Sequence, residues 1–391
     1  MKEMAKYPLK YRIAYKIVRS VITPFMLKKY SYTTEIAPKM SEPYLVLSNH
    51  TTERDMLMVL SGFPQPMYYV GGAHLFRTKL KWFITNIADI IPAPRGGNMM
   101  KPIKEILKRI KAGYSVIMFP EGCRSFCGDT MKVTMPTVKL LRKAGCALIT
   151  YRLVGGYFVA PRWAHVHREG KVEGKVVGVY SSEQLAQMTD EEILELINRD
   201  IGEQAYETQE QKMLPYTCEA LAEGLENYLI ICPECGKYDT MVTEGHNFRC
   251  SHCGLEGTYT EYGYLEGENL PFKRVDDWGH WMLPRFDEDM EKLERGTLIF
   301  EEKDVLLYQM GPDNSRTDIG TGTLKVYHDR MEWEDRVFEF RGITAMSLLY
   351  FGKSFLFTDK SGYYGLTGEG FHAWKVERLA QLELGMKDAE L

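Results

Sequence analysis

The chain has 391 residues, of which 45% are hydrophobic and 26% are charged, so it has an ordinary globular composition and is long enough for two or three domains. Its formal net charge of -4 gives no general reason to expect a nucleic-acid partner. It contains no uninterrupted apolar run of about 18 residues, which disfavours a membrane-spanning helix.

The first segment, residues 1–30, is basic and amphipathic. Between Pro8 and Leu27 the aliphatic residues recur at three- and four-residue spacing, and the basic residues mostly fall elsewhere, which predicts an amphipathic helix. Two interpretations follow, an anchor on a membrane surface rich in anionic lipid or a helix packed on its own domain. Pro24 is expected to kink or end this helix.

Residues 31–226 alternate short apolar runs with helical patterns. The predicted strands are 44–47, 67–70, 115–119, 147–153 and 175–180, and the predicted helices are 55–60, 79–87, 101–112 and 136–144. A polar helical stretch at 189–211 follows. This alternation predicts an α/β domain with a largely parallel sheet and flanking helices.

The composition of the remaining sequence changes twice, at about residues 227 and 267. Residues 227–266 are rich in Gly, Tyr and Cys, and residues 267–292 are interpreted as a linker. Residues 293–391 predict an antiparallel β domain capped by a helix at 371–384, with strands at 297–301, 305–309, 322–328, 336–340, 345–351 and 354–357.

Half of the eight cysteines form two C-x-x-C-Gly knuckles, at Cys232 and Cys235 and at Cys250 and Cys253. Four thiolates at this spacing predict a closed tetrahedral zinc site with a structural role, similar to a zinc ribbon. His246 and His252 lie nearby, but four cysteines already complete the coordination.

A histidine and a carboxylate follow the predicted strand at 44–47, as Asn49-His50-Thr51-Thr52-Glu53-Arg54-Asp55. Histidine accepts a proton near neutral pH, and a carboxylate can fix its tautomer, so His50 and Asp55 are candidates for a base and its orienting acid. The alternative is a helix start in which Thr52 and Asp55 form a capping box and His50 has no chemical role.

A second motif, Phe119-Pro120-Glu121-Gly122-Cys123-Arg124-Ser125, follows the predicted strand at 115–119. Open α/β sheets place their sites in loops after the carboxyl ends of parallel strands, which makes Glu121 and Arg124 candidate site residues. The alternative for these two residues is a surface ion pair.

Together the two motifs resemble those of the glycerolipid acyltransferase family, the 1-acylglycerol-3-phosphate O-acyltransferase group. The first motif, Asn-His-x-x-x-x-Asp, is complete, and the second departs from the family pattern at Cys123, where threonine is usual. The block at residues 91–97 looks like the family's intermediate block and contains Arg95. The fourth block is degraded at residues 149–155.

The resemblance implies acyl transfer from acyl-CoA or acyl-carrier protein to lysophosphatidate, with His50 and Asp55 catalytic. It assigns substrate binding to Arg95, Glu121, Gly122 and Arg124. It also implies that the protein acts on the cytoplasmic face of a membrane. The alternatives are another lysolipid or glycerol-3-phosphate as acceptor, or a non-catalytic lipid-binding adaptor. The carboxy-terminal β domain looks like the pleckstrin-homology superfold, which is an analogy of fold alone.

Overall fold

The computed structural model describes residues 3–72, 81–93, 99–122, 124–311, 315–349 and 353–386. These residues divide into two compact units. Of the described residues, unit 1 comprises 3–72, 81–93, 99–122, 124–161 and 167–217, and unit 2 comprises 162–166, 218–311, 315–349 and 353–386.

Unit 1 alternates strands and helices along the chain, as the sequence predicts. Its strands are β1 Thr33–Thr34, β2 Tyr44–Ser48, β3 Tyr68–Gly72, β4 Ile91–Ala93, β5 Val116–Met118, β6 Ala147–Val154 and β7 Glu173–Tyr180. Its helices are α1 Leu9–Ile17, α2 Thr23–Leu27, α3 Asp55–Gly62, α4 Lys81–Asn86, α5 Met100–Lys111, α6 Met135–Ala144, α7 Gly156–Val159, α8 Ser182–Gln187, α9 Asp190–Ile201 and α10 Ala205–Lys212.

The strands of unit 1 form one sheet in the order β1-β7-β6-β2-β5-β3-β4. All neighbouring pairs are parallel except β6 and β7. The largely parallel α/β sheet is therefore confirmed. β2 and β5 are adjacent, so the loops that follow them leave the sheet side by side at its carboxyl edge. Each of the two sequence motifs begins at the end of one of these strands.

The amino-terminal segment carries two stripes with the same four-residue spacing. The tyrosines Tyr7, Tyr11 and Tyr15 are buried, and the hydroxyls of Tyr11 and Tyr15 donate to the carbonyls of Met67 at 2.6 Å and Phe63 at 3.0 Å. The aliphatic and aromatic stripe faces outward, with Leu9, Ile13, Ile17, Val21 and Phe25 each at least half exposed. The segment thus packs on its own unit and still presents an apolar face.

Pro24 does not end this segment, which is one of the two outcomes predicted for it. A π-helical turn, Val18–Ile22, joins α1 to α2, and Pro24 lies in the first turn of α2. The backbone is helical without a break through Ile22 and Thr23, so Pro24 lies inside a continuous helix, next to its π-helical turn.

The described part of unit 2 contains two antiparallel sheets and two α-helices. The smaller sheet has the order β11-β10-β9-β8, and the larger has the order β15-β14-β13-β12-β18-β17-β16. Their elements are β8 Met241–Glu244, β9 Asn247–Cys250, β10 Glu256–Tyr259, β11 Leu265–Glu266, α11 Val275–Glu291, β12 Leu298–Met310, β13 Arg316–Tyr327, β14 Arg330–Trp333, β15 Arg336–Glu339, β16 Ala345–Leu349, β17 Ser354–Asp359, β18 Gly362–Thr367 and α12 Ala373–Glu383. The antiparallel β architecture is confirmed; the pleckstrin-homology likeness stays a prediction.

Three expectations differ from the structure. The predicted linker contains the helix α11, whose Trp278 is fully buried and donates its indole N–H to the Ile231 carbonyl at 3.0 Å. The predicted helix at 189–211 is two helices, α9 and α10, separated by residues 202–204 with non-helical backbone. The strands predicted at 297–301 and 305–309 are one strand, β12, which contains a bulge between them.

Candidate active site and metal centre

His50 lies in the loop directly after β2, and Asp55 is the first residue of α3. His50 Nδ1 lies 2.8 Å from Asp55 Oδ2. Since a carboxylate accepts the bond, the proton resides on Nδ1 and the acceptor lone pair of the ring is on Nε2. The imidazole also stacks on Phe119 of the second motif, with ring centroids 4.7 Å apart. This is the arrangement of a positioned general base.

The Asp55 carboxylate is fully buried and binds the loop as well as the imidazole. It accepts from the Thr51 amide at 2.5 Å, from the Thr52 amide at 2.8 and 2.9 Å, and from both threonine hydroxyls at 3.0 and 2.8 Å. The bond from the Thr52 amide is the one that a capping box would contain. The box is not formed, because the N-cap of α3 is Arg54 and no side-chain cap hydrogen bond is present. Asp55 instead orients the histidine and holds the preceding loop.

Glu121 joins the two motif loops through their backbones. Its Oε1 accepts from the His50 amide at 2.5 Å, and its Oε2 accepts from the Met131 amide at 2.8 Å. Burial raises the pKa of Glu121 to about 8. The two amide donors act in the opposite direction, because they stabilise the carboxylate, but burial is the larger effect. Its neighbour Gly122 has a φ of 78°, a left-handed backbone that favours glycine. Glu121 thus holds the histidine loop in place.

Asn49 connects the histidine loop to β6 and to a carboxylate that the motifs do not contain. Its amide group donates to the Leu153 carbonyl at 2.8 Å and accepts from the Leu153 amide at 2.7 Å. The same amide nitrogen lies 3.5 Å from Glu203 Oε2, and Glu203 Oε1 accepts from the Gly155 amide at 2.9 Å. Burial raises the pKa of Glu203 to about 7. Glu203 follows α9 without any local sequence signal, so sequence analysis does not identify it.

Arg124 takes part in an ionic network on the other side of the histidine loop. Its NH1 donates to Glu53 Oε2 at 3.3 Å and to the Ala160 carbonyl at 3.4 Å. Glu53 Oε1 lies 2.5 Å from His167 Nε2. Glu53 belongs to the first motif, which is a signal that could have drawn attention to it, whereas His167 has no such signal.

Within the described part of the chain, three of the predicted site residues line one small pocket. They are His50, Glu121 and Arg124, and Ser125, Asp129 and Tyr157 line it with them. Asp55 lies behind His50 and is buried. Arg95 and Cys123 lie outside the described residues. The structure therefore brings together His50, Asp55, Glu121, Gly122 and Arg124.

The four knuckle cysteines of unit 2 form a cluster. The sulfur atoms of Cys232, Cys235, Cys250 and Cys253 all lie within 4.8 Å of one another. The Cys232–Cys253 and Cys235–Cys250 sulfurs are 3.7 and 3.8 Å apart. In a tetrahedral site with metal–sulfur bonds of about 2.3 Å, sulfurs lie about 3.8 Å apart, so this cluster fits a metal ion.

The backbone around the cluster has the form that such a site requires. Gly236 and Gly254, each directly after a knuckle, have φ values of 68° and 79°. His246 is engaged elsewhere, because its Nδ1 accepts from the Leu221 amide at 3.3 Å. The cluster is therefore a candidate four-cysteine metal centre.

Comparison with known proteins agrees with the motifs. Residues 29–154 match the family model described as Acyltransferase. The crystal structure of the 1-acyl-sn-glycerophosphate (LPA) acyltransferase PlsC from Thermotoga maritima is similar at 18% sequence identity, with 51% of this chain and 81% of that chain covered and a TM-score of 0.43. The matched residues include both strands and both loops that form the histidine site, apart from the outer partners Ala160, His167 and Glu203. Residues 29–154 of this chain are thus similar to an acyltransferase domain.

Proposed function

We propose that this protein transfers a fatty acyl group from acyl-CoA or acyl-carrier protein to the free hydroxyl of lysophosphatidate, making phosphatidate. The observation that carries the proposal is the 2.8 Å contact between His50 Nδ1 and Asp55 in a pocket that also contains Arg124. A non-catalytic lipid-binding adaptor would have no need of a buried carboxylate oriented on a histidine.

His50 supplies the proton transfers of this reaction. Its Nε2 removes the proton from the acceptor hydroxyl as the oxygen attacks the thioester carbonyl carbon. The tetrahedral intermediate then expels the thiolate, which takes the proton from the imidazolium, and the products are an ester and a thiol. A positioned base of this kind contributes about 10² to 10⁴ in rate. Asp55 stabilises the imidazolium formed between the two transfers.

Arg124 is the candidate for binding the phosphate of the acceptor, since a guanidinium offers paired donors to phosphate oxygens. It lines the same pocket as His50, so one acceptor molecule would contact Arg124 through its phosphate and His50 through its hydroxyl. Arg95 is assigned to the same phosphate from the sequence resemblance alone.

The outward stripe of the amino-terminal segment, defined by Leu9, Ile13, Ile17, Val21 and Phe25, is the proposed membrane contact. Phe25 is 80% exposed and Leu9 is 68% exposed, which is unusual for side chains of this kind arranged in one line. Basic residues flank the stripe and would attract anionic lipid: Lys6, Lys10, Arg12, Lys16, Lys28 and Lys29. Among the described residues no helix is long and apolar enough to cross a membrane. The stripe and its basic flanks support a peripheral enzyme, and the cytoplasmic face is the proposed one because its leaflet carries anionic lipid.

Zinc is the metal proposed for the cysteine cluster, because four thiolates in tetrahedral arrangement favour it. Zinc would cross-link the two knuckles of unit 2, and with four protein ligands it would leave no open position for substrate. Its role is therefore proposed as structural.

A donor-by-acceptor matrix tests the proposal. Purified protein on anionic vesicles is given acyl-CoA or acyl-carrier protein with lysophosphatidate, glycerol-3-phosphate or another lysolipid, beside His50→Ala. Transfer to lysophosphatidate that is lost in His50→Ala supports the proposal. Transfer to a different acceptor would correct the substrate, and no transfer with any pair would favour the adaptor.

A further inference from the structure

Arg124, the proposed phosphate ligand, is already bonded to a carboxylate of its own unit. One guanidinium nitrogen, NH1, donates to both Glu53 Oε2 and the Ala160 carbonyl. The Arg124 side chain is 13% exposed and that of Glu53 is 45% exposed. An acceptor phosphate approaching Arg124 would therefore meet the negative charge of Glu53 at the same guanidinium.

Glu53 is in turn shared with a second histidine. Its Oε1 lies 2.5 Å from His167 Nε2, and His167 Nδ1 lies 2.7 Å from the Tyr30 hydroxyl. Burial would raise the pKa of Glu53, but the hydrogen bond from His167 and the charge of Arg124 outweigh it and lower the pKa to about 2. Glu53 is thus an ionised group with two partners, one on each oxygen.

We infer that Glu53 competes with the phosphate of the acceptor for Arg124, and that His167 weakens this competition by holding the other oxygen of Glu53. The inference rests on the proposed function and deepens it. It makes Glu53 and His167 positioning residues that set the affinity for an acceptor carrying a phosphate monoester. Neither residue acts on the reacting atoms, so both should affect acceptor binding more than turnover.

The two residues should act in opposite directions. Glu53→Gln removes the competing charge while keeping the shape of the side chain, so the KM for lysophosphatidate should fall about five-fold, the effect of losing one partly exposed ion pair. His167→Phe keeps the ring but removes the donor, which releases Glu53 to bond Arg124 alone, so the KM should rise. In the double variant the effect of His167→Phe should vanish, because it acts only through Glu53.

Steady-state kinetics on vesicles with lysophosphatidate test this, with kcat at saturating acceptor as the measure of an intact fold. Glu195→Gln, an exposed glutamate on α9, is the control for the change in net charge. A KM for Glu53→Gln that is unchanged or raised would overturn the inference, as would a parallel loss of kcat or an additive double variant. Wild-type protein without transfer to lysophosphatidate would instead refute the proposed function.

Discussion

His50 Nδ1 and Asp55 Oδ2 lie 2.8 Å apart although the residues are five positions apart in the chain. Within one helix this separation would place them about 140° apart around the axis, too far for contact. The contact forms because α3 begins at Asp55 and leaves His50 in the preceding loop. The same carboxylate binds the amides of Thr51 and Thr52, so the position of the imidazole and the shape of the loop depend on one side chain.

Asp55→Asn should lower kcat by about 10² to 10⁴ and leave the KM for the acyl donor nearly unchanged. An amide in place of the carboxylate cannot stabilise the imidazolium, and its NH₂ group faces donors. Acyl transfer and thermal unfolding are measured together. Asp190→Asn is the matched control, since Asp190 is also the first residue of a helix and pairs with Arg142 at 2.8 Å. A near-native kcat in Asp55→Asn would refute the role of Asp55.

Gly156→Ala should reduce activity by disturbing the histidine loop from behind. A Cβ at Gly156 would overlap the Thr51 side chain, whose hydroxyl donates to Asp55. The expected result is a fall in kcat of about ten-fold or more with an intact fold, as small displacements at a catalytic site can cost about 10². Gly342→Ala, where a Cβ would have no neighbour within 4 Å, should leave kcat unchanged. Full activity in Gly156→Ala would show that the loop tolerates the shift.

The sequence predicts the centre of the site better than its surroundings. His50, Asp55, Glu121 and Arg124 lie in short motifs after two strands, and a parallel sheet brings the loops after its strands to the same edge. That these two strands are also neighbours is known from the structure. Glu203 reaches the site only because α9 returns the chain to the sheet, and no local pattern reports such a contact.

The amino-terminal helix shows a different limit. Its tyrosine stripe and its aliphatic stripe have the same spacing, so periodicity alone does not say which one is buried. The tyrosines are buried because each hydroxyl of Tyr11 and Tyr15 finds a backbone carbonyl of the same unit. Which stripe is buried therefore depends on where the fold places the carbonyls of Met67 and Phe63.

The pH dependence of stability should report on Glu203. Because its pKa is raised from 4.5 to about 7 on folding, the folded state holds a proton that the unfolded state has lost. The free energy of unfolding should therefore fall as pH rises from about 4.5 to 7, by up to about 3 kcal/mol from this group, and should level off above. Glu203→Gln should have a flatter profile over that window in chemical unfolding experiments. An identical slope in the variant would mean that Glu203 does not titrate there.

Metal removal should destabilise unit 2. Cys235→Ser should lower the metal content, expected as one zinc per chain, and lower the unfolding temperature of unit 2, because zinc binding supplies much of the folding free energy in small four-cysteine sites. Metal analysis and calorimetry measure both effects. Cys218→Ser replaces a cysteine outside the cluster and should change neither. Absence of metal from the wild-type protein purified without chelator would refute the assignment.

Glutamate in the outward stripe should detach the protein from membranes. Phe25 is 80% exposed, so Phe25→Glu removes an apolar anchor and adds a charge repelled by anionic lipid, at little cost to the fold. Losing the burial of one large apolar side chain, about 2 kcal/mol, should weaken vesicle binding by more than ten-fold. Val337→Glu, on an exposed residue of unit 2, controls for a new surface charge. Cosedimentation with anionic vesicles measures the binding. If Phe25→Glu binds as the wild type does, the stripe is not the membrane contact; if both variants lose binding equally, the effect is one of charge alone.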